Sequence, residues 1–333
     1  MSFQALIPLV RANEKKIAWV FLCVIMGPYA LNLISELDDI DTYEDYKMFL
    51  VPFYKWCSLE KPSGYYGVDL MYRNFLKSWF NCFSYKLGND RVLPAMFSLG
   101  CVYLVYVLGH KMTNDRIVGL IAAGALMFNP LLTIFDTSPT YDQSWAFFFL
   151  LSMVLLYYKT KLSPVAYCIS MFCKIYALGF LPMYCVMAYM EKKNWKTILA
   201  SSGVISGIAL GIISWVGIGN TMGFYPQRME EGFLRIYEDL SLVLPFFMLL
   251  FGLDFVFKGR YLQSRNVVLG WLFWIMLTIP IVYLFSKQFM FGYRFVPFAA
   301  FLSIYCGMVL VKIGNITNDF IMKRGKIPQT HHK

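Results

Sequence analysis

Ile17-Ala18-Trp19-Val20-Phe21-Leu22-Cys23-Val24-Ile25-Met26-Gly27-Pro28-Tyr29-Ala30-Leu31-Asn32-Leu33-Ile34-Ser35 runs straight into Glu36-Leu37-Asp38-Asp39-Ile40-Asp41-Thr42-Tyr43-Glu44-Asp45. An apolar stretch long enough to cross a bilayer ends on six carboxylates in ten residues, with no base among them. Carboxylates are costly beside hydrocarbon, so a cluster at a membrane surface asks for a reason. Arg11, Lys15 and Lys16 precede the stretch, and no small-x-small cleavage site follows it. The pattern reads as an uncleaved signal-anchor.

Further apolar runs follow. The chain of 333 residues is 58% hydrophobic and 15% charged, against about 25% charged for a soluble domain. This composition predicts an all-α, polytopic transmembrane helix bundle forming one domain over 1–333. Spans are expected at 17–35, 92–110, 117–135, 142–158, two short ones within 162–190, then 195–218, 239–257, 267–285 and 295–313, about ten in all. Lys174 sits in the middle of 162–190, and basic residues flank it at both ends. Two short helices returning to one side fit that better than a single span.

Charge tests the count. With the N-terminus inside, eighteen of the 30 Lys and Arg fall in the inner segments, beside four acids: Glu14, Asp115, Glu191 and Asp319. The positive-inside rule then puts both termini and the basic tail 314–333 in the cytoplasm, and the acidic cluster outside. The net charge of +10 is thus a matter of topology. No nucleic-acid-binding motif is present, and no nucleic-acid partner is expected.

The largest outer loop is 36–91. In it Val68, Met71, Tyr72, Phe75, Leu76, Trp79, Phe80 and Phe83 recur at helical spacing, opposite Asp69, Arg73, Asn74, Lys77, Ser78 and Asn81. This predicts an amphipathic helix lying in the membrane plane or packed on the bundle. Cys57 and Cys82 share the loop and can pair if it faces an oxidising compartment; no CxxC suggests zinc. Asn315-Ile316-Thr317 matches a glycosylation acceptor but falls on the inner side.

Chemistry-bearing residues gather on the outer side. Asp38, Asp39 and Asp41 follow the first span; carboxylates there can take a proton from an acceptor or hold a divalent cation. A solvated, topology-enforcing loop is the plainer reading. Asp136 and Asp142 lie in the next outer loop, and Asp142 also suits the N-terminus of the span it opens. Lys174, Lys287, Arg228 and Arg235 are outer cations, and Tyr293-Arg294 opens the last span. Arg294 can grip a phosphate with its planar fork, or simply snorkel at the interface.

The order of these pieces resembles a known group. Asn89-Asp90-Arg91-Val92-Leu93-Pro94-Ala95 leads into a span; Asp115-Arg116-Ile117-Val118-Gly119 opens the next, which ends Phe128-Asn129-Pro130. Asp142–Phe149 follows, then Met171-Phe172-Cys173-Lys174-Ile175-Tyr176, then Leu181-Pro182, and late in the chain Tyr293-Arg294-Phe295-Val296-Pro297. This resembles the GT-C-fold polytopic glycosyltransferases that use polyprenyl-phosphate sugars, similar to the protein O-mannosyltransferases and lipid A aminoarabinose transferases. Asp38-Asp39 stands where that group has an Asp-Glu pair, and Tyr293 and Arg294 are in reversed order.

The resemblance implies an inverting sugar transfer outside the membrane. An acceptor glycan, lipid or protein is deprotonated by one of Asp38, Asp39 and Asp41. Asp136, Asp142, Lys174, Lys287, Tyr293 and Arg294 bind substrate, with Arg294 and Lys174 stabilising the departing lipid phosphate. Asp39 and Asp41 permit a divalent metal (Mg or Mn) without demanding one. A transporter or flippase of a lipid-linked or anionic solute, and a non-catalytic scaffold of the same fold, remain alternatives.

Overall fold

The computed structural model describes residues 13–39, 75–158, 160–190, 224–241, 243–256, 261–285 and 292–324, with single positions such as Tyr54 and Cys57 between them. Every regular element among the described residues is helical. The first helix, α1 (Glu14–Ser35), spans the apolar stretch and bends nowhere sharply enough at Pro28 to end there. Then come α2 (Phe75–Lys86), α3 (Val92–Thr113), α4 (Arg116–Met127), a single turn α5 (Pro130–Thr133) and α6 (Ser144–Tyr157). α7 (Ser163–Cys173) is followed by a 3-10 turn (Ile175–Phe180) and α8 (Leu181–Met190). The remainder is α9 (Met229–Leu240), α10 (Leu244–Val256), α11 (Leu262–Phe285), a 3-10 turn (Gly292–Phe295) and α12 (Val296–Arg324).

Four of these, α1, α3, α11 and α12, contain stretches long and apolar enough to cross a membrane. A fifth is counted if α9 and α10, which meet at a bend of 82°, are taken as one span. The expected span 117–135 is divided: Asn129 caps α5 by accepting from Leu131 N at 3.0 Å, and Pro130 occupies the first helical position. Proline has no N–H to continue α4, which stops at Met127. The 162–190 stretch does form two short helices. Lys174 is extended (φ −154°, ψ 113°) between them, and eleven residues of α7 reach only about 16 Å. The expected span 195–218 lies outside the described residues.

α12 is the hub: 83% of its apolar window is buried, against 22% for α1. α3, α4, α6 and α11 pack around it. Small residues allow the closest crossings. A Cβ on Gly119 of α4 would lie 2.5 Å from the Tyr106 carbonyl of α3, and one on Gly307 of α12 would lie 2.5 Å from the Val118 carbonyl of α4. Backbones this close gain packing that lipid cannot supply. Trp271 of α11 stacks on Phe301 of α12 at 5.0 Å, and Phe149 and Phe180 close round them. α1 stays peripheral, with Phe21, Val24, Leu31 and Ile34 exposed on its outer surface.

Charged groups collect at the two ends of this bundle. At one end of α3, Tyr261 donates to Asp115 at 2.7 Å, and Asp254 is held by Lys312 at 2.9 Å and Arg265 at 3.3 Å. At the other end stand Arg91, the α5–α6 loop and Arg294, in the turn that leads into α12, about 27 Å of helix rise before Lys312. The sequence reading assigns the first end to the inside and the second to the outside.

Candidate functional site

The centre of the Arg91 end is the loop between α5 and α6. From Asp136 to Ala146 every residue is buried, although Asp136, Thr137, Ser138, Thr140, Asp142, Gln143 and Ser144 are polar. Buried polar groups are costly unless partnered, so a loop like this must be held by side chains from elsewhere. It is held from three helices. Tyr29 of α1 donates to Asp136 Oδ2 at 3.0 Å, and Ser98 of α3 donates to the Asp136 carbonyl at 2.7 Å. Arg91, just before α3, donates to Thr137 Oγ1 at 2.9 Å. From α2, Asn81 reaches the Pro139 carbonyl at 2.9 Å, and Lys77 donates to the Thr140 carbonyl.

The same loop grips the acidic segment. Thr137 Oγ1 donates to Glu36 Oε2 at 3.2 Å, while Asn32 donates to Glu36 Oε1 at 2.7 Å. Asn89 donates to the Leu37 carbonyl at 2.9 Å. Glu36 and Leu37 are therefore tied to two neighbouring elements, and the chain leaves α1 in a defined direction. Asp38 and Asp39 come next. Both are exposed, and Asp39 N closes a turn on the Glu36 carbonyl at 3.2 Å.

Electrostatics within the network are uneven. Burial, together with the Glu36 carboxylate, pushes the Asp136 carboxyl up to about 7. Asp142 has a partner of the opposite sign: its Oδ2 lies 3.5 Å from Lys77 Nζ, and its Oδ1 accepts from Ser144 N at 2.8 Å at the start of α6. The helix-start role expected for Asp142 is thus real, and an ion pair is added to it.

The other candidates are distributed more widely. Arg294 is buried, not snorkelling, and interacts electrostatically with Tyr176 and Asp239. Lys174 is half-buried at the break between α7 and the 3-10 turn. Tyr293 sits on the turn that opens α12, its side chain outside the described residues, as are Asp41 and Lys287. Asp38, Asp39, Asp136 and Asp142 are brought to one end with Arg91 and Lys77. Asp39 belongs to no group of three or more potential metal ligands among the described residues, and Asp41 lies outside them.

Sequence reasoning passed over Glu36, Lys77, Asn81, Arg91 and Tyr29 as parts of this site. Lys77 and Asn81, four apart on the polar face of the amphipathic helix, were the available signal. That face turns inward, while Trp79 and Phe83 on the other side are exposed. Cys82 of α2 forms a disulfide with Cys57, a pairing that the sequence allows.

No protein-family profile, characterised protein or solved structure matches the chain.

Proposed function

We propose that this chain is a membrane glycosyltransferase of about ten spans with a GT-C-like arrangement, moving a sugar from a polyprenyl-phosphate donor to an acceptor on the extracytoplasmic side. One observation carries the reading: the acids and cations of the Arg91 end are knitted into a rigid polar floor, with Asp38 and Asp39 exposed at its edge. An interfacial enzyme needs an accessible base beside a preorganised charged surface.

In the proposed step a carboxylate of the Asp38, Asp39 and Asp41 set takes the proton from the acceptor. The acceptor's lone pair forms the new bond to the anomeric carbon. The bond from that carbon to the phosphate oxygen breaks, and its electron pair leaves with the lipid phosphate. A single displacement inverts the anomeric centre. Arg294 offsets the charge that grows on the departing oxygen. The exposed aromatic and aliphatic surfaces of α1 and α2 provide the apolar flank along which a polyprenyl chain lies.

The test is transfer of radiolabelled sugar in membranes from cells carrying or lacking the chain. Labelled product together with free polyprenyl phosphate, dependent on the chain, supports the proposal. Movement of labelled lipid across proteoliposomes without release of polyprenyl phosphate overturns it in favour of a flippase.

A further inference from the structure

α9 has three different sides. Gly232, Ile236 and Leu240 are buried. Met229, Phe233, Leu234 and Tyr237 are exposed, although each is apolar or aromatic. Glu231, Arg235 and Glu238 share the remaining side, where Arg228 pairs with Glu231 at 2.8 Å and Arg235 with Glu238 at 2.9 Å. At about 100° per residue, Met229, Phe233 and Tyr237 form one strip next to the buried side, and Glu230 and Leu234 separate that strip from the charges. A helix bordered by protein, lipid and water at once has a use for all three sides.

The neighbours of α9 fix where it lies. α11 begins at the Asp115 end, where Ser264 donates to the Met112 carbonyl, and finishes at Phe285. Beside its last turns the Tyr225 N–H donates to the Leu284 carbonyl at 2.7 Å, and the Arg228 guanidinium stands 5.1 Å from the centre of the Tyr283 ring. Gly232 lies against Pro280, so close that a Cβ on it would come 2.6 Å from the Pro280 Cα. Pro280 is about 7.5 Å of helix rise before the end of α11. Interfacial helices bury their apolar side to a similar depth, about 5–10 Å.

Direction follows from α10, which meets α9 at a bend of 82°. α10 runs along α12: the Phe247 ring lies 6.1 Å from that of Phe298 and 6.3 Å from that of Tyr305, and Asp254 pairs with Lys312 further on. α12 is long and apolar enough to cross a membrane, so α9 lies nearly at right angles to the crossing direction.

We propose that α9 is a membrane-plane helix that seats its Met229, Phe233 and Tyr237 strip in the leaflet at the Arg91 end of the bundle, with Glu231, Arg235 and Glu238 toward water. The occupant of the strip is lipid. α10, the next element, exposes Phe246, Met248 and Leu249 as well, so the apolar exterior extends beyond one helix. The charged side is paired within itself and holds more acid than base, so zwitterionic headgroups suit it and anionic ones are not required. Neither side takes part in the proposed sugar transfer.

The test uses the full-length protein in phosphatidylcholine nanodiscs, with and without phosphatidylglycerol. An environment-sensitive fluorescent amino acid replaces Met229, Phe233, Tyr237 or Glu231, one at a time. All four are exposed, so the packed side stays intact. Quenching is measured with lipids carrying a nitroxide near the headgroup or near the acyl terminus, and with iodide in the water. The probes at Met229, Phe233 and Tyr237 are expected to be quenched several-fold more by the shallow nitroxide than by the deep one, all three alike. The probe at Glu231 is expected to answer to iodide, in both lipid mixtures. Quenching that passes to the deep nitroxide between Met229 and Tyr237 overturns the proposal and makes α9 half of a transmembrane span. Strip probes that neither nitroxide nor iodide reaches overturn it in favour of a covering protein, and strip probes as open to iodide as Glu231 overturn it in favour of water.

Discussion

Lys77 and Asp142 form an ion pair at 3.5 Å with both side chains buried, joining α2 to the start of α6. Each residue alone would be an uncompensated charge. Lys77→Met is expected to destabilise the protein by about 3–5 kcal/mol, the usual cost of stranding one member of a buried pair. The double variant Lys77→Met with Asp142→Asn should recover much of that loss, because no lone charge remains. Thermal melts of wild type and the two variants in detergent check this; a double variant no better than Lys77→Met would show that the ammonium matters through Thr140 alone.

Asp136 sets a pH dependence. Its folded carboxyl titrates near 7 against an ordinary 3.8, so the folded state holds a proton that the unfolded state has released between those values. Stability is therefore greatest below about 4 for this group and falls as pH rises through about 7, where the buried carboxylate must ionise. Wild type is expected to melt lower at pH 8 than at pH 5.5, by an amount reflecting a few kcal/mol. Asp136→Asn keeps an acceptor for Tyr29 and should flatten this slope. An unchanged slope in that variant would place the titration elsewhere.

Asp39→Asn is expected to reduce sugar transfer by about 10²–10⁴-fold with little loss of folded protein, the range for removing a general base. Asp38→Asn should be nearly as severe and Asp41→Asn intermediate. Both described aspartates are exposed and outside the buried network, so folding should tolerate the changes. Full transfer by the triple Asn variant would leave the cluster with a purely topological role.

Arg294→Lys keeps the charge and loses the fork, and partial activity is expected. Arg294→Gln should lower the maximal rate more than donor affinity, because the departing oxygen gains charge only in the transition state. A loss confined to donor affinity would make Arg294 an anchor for the head group.

Sidedness has its own measurement. Membrane-impermeant thiol reagents applied from outside should label a cysteine placed near Asp41 and spare one near Lys326. If Cys57 and Cys82 face outside as proposed, their disulfide should resist an impermeant alkylating reagent until reduced. Labelling in the reverse pattern would put the acids on the wrong side for the proposed reaction.

Helical class and the apolar stretches of α1, α3, α11 and α12 were legible in the sequence, because each depends on local periodicity; the division of 117–135 at Pro130 and the count of about ten spans were not. The Lys174 break was legible for the same reason: a charge and basic flanks divide 29 residues that are too few for two full crossings. What composition could not supply was which polar groups would meet. Glu36, Thr137 and Arg91 are far apart in sequence and share a hydrogen-bond chain only because α1, α3 and the α5–α6 loop pack together. Lys77 and Asn81 looked like a polar helix face. Tertiary packing turned that face inward, because the buried α5–α6 loop needed donors for its carbonyls and α2 supplied them.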